Sequence, residues 1–398
     1  MNLLSDIKKL ASEYAAEIIQ IRQHLHAHPE LSFEEHETSK FVYNKLREYG
    51  LSPQKGIGGT GIVAIIEGKN PSKKVLALRA DMDALPIVEQ NEVSYKSVNE
   101  GVMHACGHDV HTSSLLGTAK ILNKLKNEID GSIKLIFQPG EEKIPGGASL
   151  MIKDGVLENP VPNKIIGQHV MSQIPAGKVG FKPGMYMASA DEIYIKVIGK
   201  GGHAAMPDNN IDPVLITSHI IVALQQIVSR RANPKTPTVL SFGKVIANGA
   251  TNIIPDEVYV EGTFRTLDED WRKSAHQNMK QIAEAIAGGM GAEIEFKILN
   301  GYPFLKNNEE LTMLSRSFAA EYVGEENIVD LDIWMAAEDF AYFSQQVDAC
   351  FYRLGVRNEE KGITSFVHTP TFNIDESALE LGAGLMAWLA IKNLTSKD

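Results

Sequence analysis

The sequence predicts an α/β fold: a main domain with a central, mostly parallel sheet flanked by helices, and a smaller α+β domain inserted into it. Three observations carry that expectation. Over the first half of the chain, apolar runs of strand length alternate with helical stretches of about 15 residues, the signature of a sheet covered by helices. Between 187 and 298 the pattern changes to alternating apolar and polar strands with two long helices, as in a sheet covered on one face. After 299 the chain returns to helices and short apolar runs like those of its beginning. The expected domains are therefore 1–186 with 299–398, and the insert 187–298.

The elements follow in order. Ile7, Leu10, Tyr14, Ile18, Ile21 and Leu25 recur at spacings of three and four, which makes the first segment a helix ending near His28-Pro29. A second helix is expected over 34–49, stopped by Gly50. A glycine-rich turn leads to a strand at 62–67, then to the run 74–79, which ends in Ala80-Asp81-Met82-Asp83. Next come a helix at 109–126, a strand at 132–138, a Gly/Pro loop, a helix at 147–153 and a strand at 164–170. In the insert, strands are expected at 191–198, 238–246, 257–265 and 292–298, with helices at 213–231 and 270–288. In open sheets of this class, ligands bind beyond the carboxyl ends of the strands.

Composition narrows the function. The 398 residues include 39 Lys+Arg and 50 Asp+Glu, a net charge of −11, with 43% hydrophobic and 22% charged residues. That length leaves room for two or three domains of about 100–200 residues, and that apolar content excludes a disordered chain. The negative balance argues against nucleic-acid and anionic-membrane partners, both of which demand basic patches. Two cysteines, Cys106 and Cys350, make no disulfide framework, so a cytoplasmic, reducing compartment is expected. The charged N-terminus does not read as a signal peptide, and the apolar stretch 378–391 is too short to span a membrane.

Metal-ligand residue types stand at four loop positions. They are His104-Ala-Cys106-Gly-His108-Asp109-Val-His111, Glu141-Glu142 after a Pro-Gly turn, His169 at a strand end, and His368 in Phe366-Val-His-Thr-Pro370. Thiolate, imidazole and carboxylate together suit Zn²⁺, Mn²⁺, Co²⁺ or Ni²⁺ better than Ca²⁺ or Mg²⁺. Each alone has an ordinary reading: a solvated Glu pair, a half-buried histidine, a small core cysteine. Together they exceed what one ion needs and point to two. His24, His26 and His28 are denser still, with His24 and His28 on one helix face, but no carboxylate close by in sequence is placed as a base. A structural or supporting role is the expectation there.

The combination of four motifs makes the pattern specific: Leu-Arg-Ala-Asp81-Met-Asp83-Ala-Leu-Pro, Met-His-Ala-Cys106-Gly-His108-Asp-Val-His, Gln-Pro-Gly-Glu141-Glu142 and Gly-Gly-His203-Ala-Ala-Met-Pro. From Arg22-Gln-His-Leu-His-Ala-His-Pro-Glu30 to Asn373-Ile-Asp-Glu376 the chain resembles the metallo-amidohydrolases of the aminoacylase and carboxypeptidase superfamily, such as hippurate hydrolase, indole-3-acetyl–amino acid hydrolases and N-acetyl-diaminopimelate deacetylase. The resemblance implies two divalent ions, Zn or Mn first, held by Cys106, His108, Glu142, His169 and His368. It implies Glu141 as the carboxylate that takes a proton from the attacking water and passes it to the departing amine. Asp81 and Asp83 would orient ligand imidazoles from behind. In the insert, His203 would stabilise the oxyanion, while Asn252 and Arg265 would grip the substrate carboxylate. The insert would act as a lid and join a homodimer.

The expected reaction is hydrolysis of an N-acyl-L-amino acid amide, with a dipeptidase or carboxypeptidase of the same superfamily as the alternative. A thiol enzyme using Cys106, or a catalytically dead scaffold, stands as the contrasting class. Gly140, Ser172 and Thr369 depart from the usual family residues, which touches pocket shape and not the reaction.

Overall fold

The structure is a computed structural model and describes residues 2–396. Contacts divide the chain into two units. One comprises the chain up to Met185, Lys306–Ile333, and the chain from Asp339 onward; the other comprises Tyr186–Leu305 with Trp334–Glu338.

The first unit is built on an eight-stranded sheet. Its order is Gln54–Ile57, Gly61–Glu67, Ser132–Gln138, Val75–Asp81, Lys164–Pro175, Asp348–Arg357, Val179–Phe181 and Ile328–Asp330. The four central strands, from Ser132–Gln138 to Asp348–Arg357, are parallel neighbours. Antiparallel pairs lie on either side of them. Parallel strands are covered on both faces, which is why Val75–Asp81 is buried at all seven positions, its Arg79 and Asp81 included. The first helix runs Leu3–Ala27 and buries Ile7, Ile18, Ile21 and Leu25, four of its six periodic positions. They share a core with Leu115, Leu116 and Ala119 of helix His108–Lys124 and with Leu379, Ala383 and Met386 of helix Ser377–Thr395. Each such large aliphatic side chain withdrawn from water contributes about 1.5–3 kcal/mol. The predicted strand 164–170 extends to Pro175, because Asp348–Arg357 continues to pair with it past an irregularity at Gly355.

The second unit holds a four-stranded antiparallel sheet in the order Thr238–Ile246, Glu257–Thr266, Asp191–Ile198, Glu293–Asn300. Helices Pro213–Leu224 and Glu269–Gly289 bury Ile216, Ile220, Met279 and Ala283 in one core with Ile193, Ile195, Val258 and Val260. Two expectations change here. The helix predicted over 213–231 ends as an α-helix at Leu224 and closes with a wider turn, Ile227–Arg231, in which Ala232 N–H reaches the Ile227 carbonyl. The chain is there approaching Asn233-Pro234, and a residue before proline is turned away from helical geometry. Trp334–Glu338, which the sequence put in the main domain, belongs to this unit. Ala188 N–H bonds to the Trp334 and Ala336 carbonyls, and Trp334 N–H to Tyr186. No helix among the described residues is long and apolar enough to cross a membrane.

Candidate metal centre

The parallel strands deliver the site. Val75–Asp81 ends with Asp81 opposite Gln138, the last residue of Ser132–Gln138, so Asp83 and the Glu141-Glu142 turn leave the sheet at the same edge. His169 lies on the neighbouring strand. Helix His108–Lys124 starts at this edge, with Gly107 as its N-cap in the left-handed region (φ +86°) between Cys106 and His108. His368 is tied to the same loop through its backbone N–H, 2.7 Å from the Ala105 carbonyl. It adopts φ +62°, a costly conformation for a residue with a Cβ.

These residues converge. Cys106 Sγ lies 3.5 Å from His169 Nε2. Glu142 Oε1 lies 3.2 Å from His368 Nε2 and 3.9 Å from His108 Nε2. Cys106–His108–His169, Cys106–Glu142–His368 and His108–Glu141–Glu142 each gather their ligand atoms within 4.8 Å. Ligands on one tetrahedral ion at about 2.0–2.3 Å stand roughly 3.3–3.8 Å apart, close to the 3.2–3.9 Å separations above. Two overlapping sets that share Cys106 match a pair of ions better than one.

Hydrogen bonds orient the ligand atoms. His108 Nδ1 donates to Asp83 Oδ1 at 3.0 Å, and its Nε2 is buried with no hydrogen-bond partner. His169 Nδ1 donates to the Val170 carbonyl at 2.7 Å, which leaves the Nε2 lone pair facing Cys106. A buried imidazole nitrogen aimed at a thiol and carboxylates, with its other nitrogen held by a carboxylate, is the arrangement of metal-ligating histidine. The donor set fits divalent metal ions.

Titration behaviour agrees. Burial, and then the Glu142 charge, push the Cys106 thiol up. Hydrogen bonds with Cys106 and Glu142 push His368 up to about 10. Burial and then Arg353 hold His169 well below the ordinary imidazole value. Burial opposes the Asp83 carboxylate, but bonds from His108 and Ser32 outweigh it and hold it low. Cys106 and His368 thus hold protons that a bound cation would displace, whereas the His169 imidazole is already neutral.

Asp81 departs from expectation. It sits 3.8 Å from His108 Nε2, beyond hydrogen-bond reach, and accepts instead from His111 Nδ1 at 2.5 Å and from Arg79 at 2.6 Å. His111 Nε2 accepts from Val170 N–H at 2.9 Å, so both its nitrogens are engaged and it supports the His169 loop. Arg79 also reaches Asp339 at 2.7 Å. Two carboxylates and one backbone N–H bracket the Glu141-Glu142 turn. Glu35 accepts from Gly140 N–H (2.8 Å) and Asp83 from Glu142 N–H (2.9 Å), while Asp339 N–H meets Glu141 Oε1 at 3.3 Å. Gly140 stands at φ +57°, and a Cβ there would fall 2.3 Å from the Phe33 ring, which accounts for glycine at that position.

The histidine triplet divides. His24 and His28 are exposed, whereas His26 is fully buried between Asp109 (2.8 Å) and Glu89 (3.1 Å), carboxylates distant in sequence. Arg22 bonds the same Asp109 oxygen at 2.8 Å and reaches Asn373 at 3.2 Å. Sequence reasoning missed this network and Arg79. The one signal available was a charged residue placed inside an apolar pattern.

His203, Asn252 and Arg265 belong to the second unit. His203 is exposed on the two-stranded pair Gly202–His203 and Ile253–Ile254. Ala205 N–H donates to its Nδ1 at 3.1 Å, which leaves the proton on Nε2. Asn252 adjoins it, accepting from Ala204 N–H at 3.0 Å. Arg265 is half-buried and donates to the Met335 carbonyl at 3.3 Å.

Comparison with known proteins gives the family. Residues 77–392 match the model of peptidase family M20/M25/M40. An N-acyl-L-amino acid amidohydrolase of Geobacillus stearothermophilus is 44% identical over 305 residues, 77% of this chain and 82% of that protein. Thermostable carboxypeptidase 2 of Saccharolobus solfataricus is 41% identical, covering 98% of this chain and 99% of that one. The crystal structure of Bacillus subtilis YXEP, described as a dinuclear metal binding peptidase from the M20 family, aligns with TM-score 0.83 and 35% identity over 97% of this chain and 100% of that one. Ligand loops at the carboxyl edge of a parallel sheet and an end-to-end likeness to such hydrolases lead to one conclusion: this chain is a hydrolase belonging to peptidase family M20/M25/M40.

Proposed function

We propose that the protein hydrolyses the amide bond of N-acyl-L-amino acids with two divalent ions, Zn or Mn first, Co or Ni as substitutes. Cys106, His108, Glu142, His169 and His368 would hold them. The observation that carries this reading is the Glu141-Glu142 turn. Glu142 meets two imidazoles, while Glu141 is buried beside it and is turned to the Asp339 N–H. Adjacent carboxylates in different surroundings take different roles. When bound, the ions supply a water of lowered pKa and a Lewis acid for the scissile carbonyl.

Glu141 accepts the proton of the attacking water as the new C–O bond forms. It returns that proton to the amide nitrogen as the C–N bond breaks, releasing a carboxylate and an amine. Asp83 keeps the His108 ring in its ligating tautomer. His203 donates its Nε2 proton to the developing oxyanion, a role supported by the Ala205 bond that fixes that tautomer. Asn252 and the Arg265 guanidinium receive the substrate carboxylate. The second unit acts as a lid and joins two copies into a homodimer, and the cytoplasm is the expected compartment.

Glu141→Gln tests the assignment. It should keep both ions by elemental analysis and lose turnover of acetyl- and benzoyl-amino acids by orders of magnitude. Retained turnover in the metal-replete variant would falsify the role of Glu141. The carboxypeptidase relative makes peptides the second substrate class, and simple dipeptides in the same assay separate the two.

A further inference from the structure

The exposed members of the histidine triplet have no part in the chemistry above, and their arrangement is specific. His24 and His28 occupy positions i and i+4 at the end of helix Leu3–Ala27, so they project from one face. Their ring centres are 4.6 Å apart. Two imidazoles bound at about 2.1 Å to one ion, at roughly right angles, bring their ring centres within about 5 Å.

Both rings are already fixed. His28 Nδ1 donates to the His24 carbonyl at 2.8 Å, so Nε2 carries the lone pair. His24 stacks on Phe41 at 4.4 Å, which restrains its rotamer. The pair lines a cavity of about 280 Å³ together with Glu37, Thr38, Phe41 and Asn44. The cations nearby, Lys40 and Lys45, are matched by Glu37 at 2.9 Å and Glu48 at 2.8 Å. Burial, His28 and Lys45 lower the His24 pKa, so this imidazole is neutral and able to ligate at pH 7.

We propose that His24 and His28 form a peripheral site for a borderline divalent ion such as Zn²⁺, Ni²⁺ or Cu²⁺, separate from the buried cluster. Imidazole donors select such ions over Ca²⁺ and Mg²⁺, and water completes the coordination. With only two nitrogens the site is weaker than the five-ligand cluster. The inference is independent of the catalytic assignment.

The test is calorimetric titration of Zn²⁺ into holoenzyme that already carries its catalytic ions. One further equivalent is expected. It should vanish in His24→Ala and in His28→Ala, with kcat/KM unchanged in both because neither residue touches the reacting groups. Wild-type protein that takes up no further Zn²⁺, or a further equivalent that persists in the double variant, overturns the site. Retention of untagged holoenzyme on an immobilised Ni²⁺ column, lost in the double variant, gives a second measurement that does not depend on turnover.

Discussion

Gly107 separates Cys106 and His108, two of the proposed metal ligands, and replacing it by alanine tests how tightly the loops interlock. Its φ of +86° costs a residue with a Cβ about 1–2 kcal/mol. The added carbon would also fall 2.5 Å from a Val170 methyl. Val170 is 2% exposed, follows His169 and spends its N–H on His111, so it cannot retreat without carrying His169 along. Overpacking of this kind costs about 1–3 kcal/mol. The stiffer unfolded chain returns about 0.4–1 kcal/mol. The net expectation is a loss of about 1–4.5 kcal/mol, and at least tenfold weaker metal binding as Cys106 and His108 shift against His169. Gly177→Ala is the control: its φ is +90°, yet nothing lies within 4 Å of the new carbon, so only the backbone cost applies. Urea unfolding of the demetallated proteins measures stability, and competition with a chelator measures metal affinity. Should Gly107→Ala lose no more stability than Gly177→Ala and bind metal like wild type, the interlocking of these loops is refuted.

Three more outcomes are expected. Asp109→Asn leaves the buried Arg22 and His26 without their shared carboxylate and should cost about 3–5 kcal/mol in urea unfolding; a loss below about 1 kcal/mol contradicts the network. Burial works against the Asp109 carboxylate, but Arg22 and His26 outweigh it and hold its pKa well below the usual range. Since the folded value is the lower one, its contribution is complete above about pH 4 and is lost as pH falls further, so Asp109→Asn should flatten the acid limb of a stability–pH profile. His203→Ala should lower kcat about 10²–10³-fold with little change in KM, as removal of an oxyanion donor does; an effect on KM alone argues for a binding role instead.

Much of the architecture was legible because sheets and helices announce themselves by period. Val75–Asp81 and Ser132–Gln138 read as apolar runs, and the chemistry stood in the loops that follow them. The ligand types were legible because a thiol, imidazoles and paired acids at strand ends share one chemistry, the binding of a borderline cation. What escaped was polar and internal. Arg79 looked like the polar end of a strand, and it is a fully buried ion joining Asp81 to Asp339. Asp81 was expected behind a ligand and instead supports His111. The helix expected over 213–231 gave no hint of its wider last turn, because apolar periodicity is insensitive to one added residue.

By itself, then, the order of residues determined which groups could ligate, which edge of the sheet they would share, and that a differently patterned segment interrupts the main domain. These depend on local period and on chemistry carried by single side chains. Only the tertiary structure decided the partners: that His26 belongs to Asp109 and Glu89, that Val170 leaves room for Gly107 alone, and that His24 and His28 remain at the surface while their neighbour is enclosed. Such pairings join residues far apart along the chain, and burial in a low-dielectric core makes each pairing energetically decisive.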